Sequence, residues 1–183
     1  MTRPILTTQI CYVTHDLDKA IAEWADAFNA GPFFITLVPT DFGQRTYRGT
    51  PAKDSFRAAL GFCGATMIEF IQPLNDTPSV FREVLDAGGN MAVHHIMPNI
   101  RPLTPADYDS LHATYLGKGY DPALEMNLPG MGRCTMFDAR KVAGSFVELM
   151  EISEPAYAGM EAMRSAHANW DGTRPIREYT EAL

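Results

Sequence analysis

The sequence predicts an α+β fold built as two tandem βαβββ modules with a C-terminal helical tail, and three observations carry that reading. Strand-like runs bounded by Gly, Pro and Asn alternate with a few amphipathic helical stretches. The order strand, helix, strand, strand, strand occurs over about residues 7–73 and again over about residues 91–152. Polar residues recur at matching places, Gln9 and His95 in the first strand of each pass, Glu69 and Glu148 in the last.

In the first pass, Thr7 to Thr14 reads as a strand with Gln9, Cys11 and Val13 on one face and Ile10 and Tyr12 on the other. Asp16 caps a helix in which Leu17, Ala20, Ile21, Trp24 and Phe28 fall at helical spacing, and Gly31 and Pro32 end it. Phe33 to Val38 is the next strand. The polar, Gly-containing stretch from Pro39 to Lys53, with Arg45, Tyr47 and Arg48, reads as a long loop or lid. Ser55 to Phe62 and Thr66 to Gln72 form a hairpin across Cys63-Gly64-Ala65. Thr77 and Pro78, as N-cap and first helical residue, open a linker helix over 77–88.

In the second pass, Gly88-Gly89-Asn90 and Pro98-Asn99 bracket a strand over Met91 to Met97. Regular alternation puts His94 with Ala92 and Ile96, and His95 with Val93 and Met97, so at most one histidine points into a given cavity. Thr104-Pro105 caps a helix that runs to Gly117, and Tyr120 to Met126, Arg133 to Asp138 and Ser145 to Ile152 follow as strands. A helical stretch to about Asn169 and a turn-rich segment make up the tail, 155–183.

At 183 residues and 46% hydrophobic content the chain fits a single domain. Its formal charge of −7, with no basic run, argues against binding nucleic acid or an anionic membrane through a general positive field. Cys11, Cys63 and Cys134 are odd in number and far apart, which suits reduced thiols rather than a disulfide framework or zinc ribbon. The polar start and the lack of a spanning apolar run lead to the expectation of a cytoplasmic protein.

A mid-strand glutamate ordinarily faces solvent, because an unpaired buried carboxylate is costly. Here Met67 and Ile71 flank Glu69 on its own face, and Phe146 and Met150 flank Glu148, so neither belongs to a solvated row. A buried carboxylate needs a cation or a donor, and a divalent metal serves both carboxylates at once. Gln9, Glu69, His95 and Glu148 together offer three oxygens and one imidazole nitrogen. Such a set suits a hard to borderline divalent ion (Zn, Ni, Co, Mn, Mg or Fe) in octahedral geometry with two positions left over.

Several segments carry a resemblance: Gln9 to Val13 with Asp16 to Ala20, Ile68 to Asp76, Gly88 to Ile96, and Phe146 to Leu149. Together with the two-module order, they resemble the vicinal oxygen chelate superfamily of glyoxalase I, methylmalonyl-CoA epimerase, extradiol dioxygenases and bleomycin-resistance proteins. The resemblance covers Thr7 to Ile152. It implies an open, incomplete β-barrel around a metal cavity, a homodimer, and metal ligands at Gln9, Glu69, His95 and Glu148, the second histidine of the pair being the ligand. The Pro-Leu-Asn-Asp turn and the His-His pair resemble the epimerase branch. Gln9 with Glu148 resembles the glyoxalase I ligand set, and Gln9 counts against a dioxygenase. The epimerase branch has a further glutamate in its third strand; Ser55 to Leu60 has no carboxylate, and Asp54 lies just before it.

The resemblance thus implies a metal-dependent isomerase or lyase moving a proton α to a carbonyl, on a small-molecule substrate with vicinal oxygens, through a metal-chelated enolate or enediolate. Glu148 is the expected general base and Glu69 its partner or substitute, with walls from Val13, Met67, Val93 and Phe146. The alternative is a non-catalytic binding protein of the resistance type. His15, His112 and His167 read as surface residues, Arg57, Arg133 and Arg174 as solvated charges, and Trp24 as core.

Overall fold

The computed structural model describes residues 7–130 and 132–182. The first pass supplies β1 (Thr7–Val13), α1 (Leu17–Phe28), β2 (Phe33–Val38), β3 (Gln44–Tyr47), β4 (Thr50–Pro51), β5 (Phe56–Cys63) and β6 (Thr66–Pro73). Helix α2 (Val80–Asp86) connects it to the second. There follow β7 (Ala92–Ile100), α3 (Pro105–Gly117), β8 (Asp121–Leu128), β9 (Gly132–Asp138), α4 (Arg140–Ala143) and β10 (Phe146–Met150). The tail adds α5 (Glu154–Ala168), β11 (Ile176–Glu178) and a 3-10 turn over Tyr179–Ala182.

The strands form one open mixed sheet in the order β11-β2-β5-β6-β1-β7-β10-β9-β8-β3-β4. First strands meet at its centre, where β1 runs antiparallel to β7, and each then pairs in parallel with the last strand of its own half, β6 or β10. The four strands expected to carry the polar set are therefore consecutive neighbours.

Period-2 alternation sorts each strand between two cores. The inner face carries one cluster that runs from Phe34 and Phe62 through Cys11, Val13, Met67, Met97 and Phe146 to Leu124 and Met126. Helices α2 and α5 pack into that cluster with Val80, Phe81, Leu85, Met160 and Met163. On the outer face α1 covers the first half with Leu17, Ala20 and Ile21 against Phe33, Ile68 and Phe70, and Trp24 is half-buried beside it. Helix α3 covers the second half through Tyr108 against Phe137 and Leu149.

Caps set the helix boundaries. Asp16 accepts from the Lys19 amide and Thr104 from the Asp107 amide, with Pro105 in the first helical turn, as the sequence predicts. The linker helix opens later than expected, because the Ser79 side chain, not Thr77, accepts from the Arg82 amide. Two further expectations are corrected, and the expected C-terminal helix gains a place in the fold. The stretch expected as a loop or lid contains the β3-β4 hairpin, whose β3 pairs with β8 of the other half, Arg45 lying opposite Met126. The tail places α5 against the inner face and adds β11 in parallel to β2. His112 and His167 are half-buried: His112 packs on Tyr108 and Phe137, and His167 bridges the Gly31 carbonyl and the Gly64 amide. With β3 on β8 and β11 on β2, both ends of the eight-strand core are covered by added strands. Among the described residues, no helix is long and apolar enough to cross a membrane.

Candidate metal centre

Three of the four predicted polar residues meet at one atom. His95 Nε2, on β7, lies 3.2 Å from Glu69 Oε2 on β6 and 3.1 Å from Glu148 Oε2 on β10. The pairing register explains the convergence: Cys11 of β1 lies opposite both Glu69 and His95, so the inner-face residues of three adjacent strands are level. Gln9 enters the same face two residues earlier, buried, with its amide nitrogen 3.7 Å from Met67 Sδ and its Oε1 without any partner.

The histidine pair departs from regular alternation. Opposite β1, Cys11 pairs with His95 but Tyr12 pairs with Val93, so His94 is the extra residue of a β-bulge. The bulge turns both rings inward: His94 and His95 are each 0% exposed and Val93, expected as a wall of the cavity, is 41% exposed. The other expected walls, Val13, Met67 and Phe146, are fully buried in the inner cluster. His94 Nδ1 is 2.9 Å from His95 Nδ1, and His94 Nε2 is 3.1 Å from the Val80 carbonyl.

Two buried thiols complete the surroundings, and sequence reasoning passed over both. Cys134 Sγ on β9 donates to Glu148 Oε1 at 3.0 Å. The Cys11 sulfur lies within 4.8 Å of donor nitrogens on His94 and His95. Cys11 shares the inner face with Gln9, so strand phase alone could have placed it; nothing local to Cys134 signals its contact. Burial pushes both thiols well above the usual cysteine range, so they are neutral donors and not thiolates.

Charge at the centre follows from the same packing. Burial alone would lower the His95 pKa, but the Cys11 sulfur and the Glu148 carboxylate beside the ring hold it well above the ordinary imidazole value; Glu148 is the charged one. His94, buried and beside His95, is held well below that value and stays neutral. Burial would raise Glu148, yet the facing His95 ring and the Cys134 thiol hold it below the ordinary carboxylate value.

These groups are capable of holding a divalent cation. Two carboxylates directed at one imidazole nitrogen, with an orphaned buried amide oxygen on the same face, form a donor set whose negative charge asks for a cation. Cys11, His94 and His95 also lie close enough to share an ion. Both His94 nitrogens are already engaged, however, and the carboxylate set offers the harder donors.

A cavity of about 870 Å³ lies between the β3-β4 hairpin and the second half of the sheet; Cys134 is in its wall, while Gln9, Glu69, His95 and Glu148 do not line it. Arg45 lines it and is buried beside Asp54, with Nε 3.6 Å from Asp54 Oδ1. The guanidinium also donates to the Pro39 and Asp54 carbonyls at 3.1 and 2.5 Å, which ties the ends of the hairpin together. Burial raises the Asp54 carboxyl pKa despite Arg45 beside it.

Residues 8–136 match the model of the glyoxalase/bleomycin resistance protein/dioxygenase superfamily, and the chain belongs to that family. Methylmalonyl-CoA epimerase from Mycobacterium tuberculosis has a similar fold, with 19% identity, a TM-score of 0.57, and 82% of this chain covering 89% of that one. A hypothetical protein from Bacillus halodurans aligns at 14% identity and a TM-score of 0.52, over 82% of this chain and 95% of its own. Among curated protein sequences no significant match is found.

Proposed function

We propose that the protein is a metal-dependent isomerase or lyase of the glyoxalase/epimerase type, which moves a proton on the carbon next to a carbonyl. The observation that carries this reading is the approach of Glu69 and Glu148 to one buried nitrogen of His95, at 3.2 and 3.1 Å. Gln9, Glu69, His95 and Glu148 would hold one divalent ion. Bound there, it would supply Lewis-acid stabilisation, of several kcal/mol, to negative charge developing on the substrate oxygens.

The chain itself supplies the proton carrier. Glu148 takes the α-proton and returns it, with Glu69 as its partner. The Cys134 thiol holds one oxygen of Glu148 and leaves the other directed at the centre. Val13, Met67 and Phe146 keep water from the carboxylates. The fold shared with a methylmalonyl-CoA epimerase supports the epimerase branch, but the inward residues of β5, Phe56, Ala58 and Leu60, offer no second base. Asp54, the carboxylate next to that strand, is occupied with Arg45. Proton transfer by one carboxylate at a time is therefore the form of the reaction favoured here, on a small molecule with vicinal oxygens.

Metal analysis of the purified full chain, followed by incubation with acyl thioesters and 2-oxo acids in deuterated water, tests the reading. The expected result is a bound divalent ion and deuterium at the α-carbon, lost on chelation and in Glu148→Gln. Ligand retention without exchange, unaffected by Glu148→Gln, would mark a binding protein of the same fold instead.

A further inference from the structure

We propose that His94 is a positioning residue that keeps a hydrogen on His95 Nδ1, so that His95 turns Nε2, as the nitrogen left to bind a cation, to the point where Glu69 and Glu148 meet. The inference rests on the metal-centre reading above and assigns a task to the histidine of the pair that reading leaves unused.

The hydrogen-bond chain has a single direction. The Val80 carbonyl, at the start of α2, can only accept, so His94 Nε2 at 3.1 Å carries a hydrogen. A neutral imidazole has one N–H, and His94 Nδ1 is thereby an acceptor. His95 Nδ1, 2.9 Å away, must then be the donor. With Nδ1 committed to that hydrogen, the nitrogen that can give up its proton to a cation is Nε2, the atom that faces both carboxylates. Metal-ligating histidines generally pass their second N–H to a carbonyl or carboxylate, which sets ring orientation and ligand basicity. Here a second imidazole stands between ring and carbonyl, and the connecting helix determines the tautomers of both rings.

The fold holds the relay by packing as well as by hydrogen bonds. His94 lies between the rings of Phe81, at a centroid distance of 4.9 Å, and Phe146, at 5.0 Å. Its plane is nearly perpendicular to that of His95, at 84°. A strand without the bulge would send His94 to the opposite face and leave His95 Nδ1 without this acceptor.

Two measurements on the full chain test the proposal: nitrogen-15 spectra of the histidine rings in the metal-free wild type, and zinc affinity by chelator competition. His94→Phe keeps a ring between Phe81 and Phe146 but offers no acceptor. His94→Gln can accept from His95 Nδ1–H and donate to the Val80 carbonyl. The expected results are a neutral His94 protonated at Nε2, zinc binding about 10–100-fold weaker in His94→Phe, and recovery of most of that loss in His94→Gln. A His94 protonated at Nδ1, a Phe variant that binds zinc as tightly as wild type, or a Gln variant as weak as Phe would each overturn the relay. A wild type that binds no zinc would overturn the metal-centre reading itself, and the ring spectra, recorded without metal, separate the two failures.

Discussion

The two halves of the sheet set matching acids on matching strands, but they do not treat them alike. Glu148 lies opposite Met136 on β10-β9, and Cys134, two residues earlier on β9, donates to it at 3.0 Å. Glu69 lies opposite Leu60 on β6-β5, and the residue two earlier on β5 is Ala58, which has nothing to donate. The difference teaches that the duplicated strand order fixes where the two carboxylates converge, while neighbours on the next strand decide how firmly each is held. Glu148 is clamped by the Cys134 thiol of the next outer strand and by the ring, whereas Glu69 meets the ring and the Cys11 thiol of β1, with no donor on its outer neighbour β5.

The sharpest break in that comparison is removal of one charge at a time. Glu69→Gln and Glu148→Gln should each weaken zinc binding by about 100-fold or more, since even outer partners of a ligand are worth 10–100-fold. At saturating metal, Glu69→Gln should keep measurable deuterium exchange and Glu148→Gln none. The reverse ranking would make Glu69 the proton carrier and the clamped Glu148 a spectator.

Cys134→Ala gives the second half the environment that Ala58 gives the first. It removes the donor to a buried carboxylate, and unfolding in urea should show a loss of about 1–3 kcal/mol. Zinc affinity should fall far less than in either glutamine variant. An unchanged stability would mean that the thiol only fills space.

Much of this was legible in the sequence because periodicity and caps are local. The β1 phase that puts Gln9, Cys11 and Val13 on one face holds, and so do the Asp16 and Thr104 caps and the duplicated order of strands. Flanking Met67, Ile71, Phe146 and Met150 correctly told the two glutamates apart from solvated ones. The rest depended on pairing between distant segments. Whether Arg45 is in a lid or a strand is decided by β8, which offers it a partner some eighty residues later. The bulge at His94 exists only against β1, so no pattern within Met91 to Met97 could announce it.

A smaller effect is expected at the hairpin, the element of the first half with no counterpart in the second. Arg48, in its turn, pairs with Glu83 of α2 at 2.7 Å and with Asp138 at 2.9 Å, and Arg140 joins the same two carboxylates. The hydrogen bond from Arg140, with Arg48 beyond it, holds Asp138 far below its ordinary value of 3.8. Burial would raise Glu83, but Arg48 and Tyr47 hold it below its ordinary 4.5. Lowered carboxylate values mean that the network's stabilisation is present above those ordinary values and is lost as pH falls through the depressed ones. Hydrogen exchange of residues 44–51 should therefore accelerate in acid before the central strands do, and Arg48→Gln should reproduce the loosening at neutral pH. Partly exposed pairs of this kind contribute about 1 kcal/mol or less each, so global stability should move little. Equal protection of hairpin and central strands down to the acid transition would show that backbone pairing with β8 alone holds the hairpin.

The smallest effect, that of Val93→Thr, tests the bulge itself when the same substitution is made at Val13 for comparison. Val13 is fully buried on the inner face of β1, and Val93 is 41% exposed just before the bulged His94. Val13→Thr puts a hydroxyl into the inner cluster and should cost about 1–3 kcal/mol in urea unfolding. Val93→Thr should stay within about 0.5 kcal/mol of wild type, as exposed substitutions do. If the strand instead kept strict alternation, Val93 would share the face of His95 and the two valines would cost alike. Equal losses would return His94 to the opposite face, break the contact between the two histidine rings, and leave His95 to be oriented by some other acceptor.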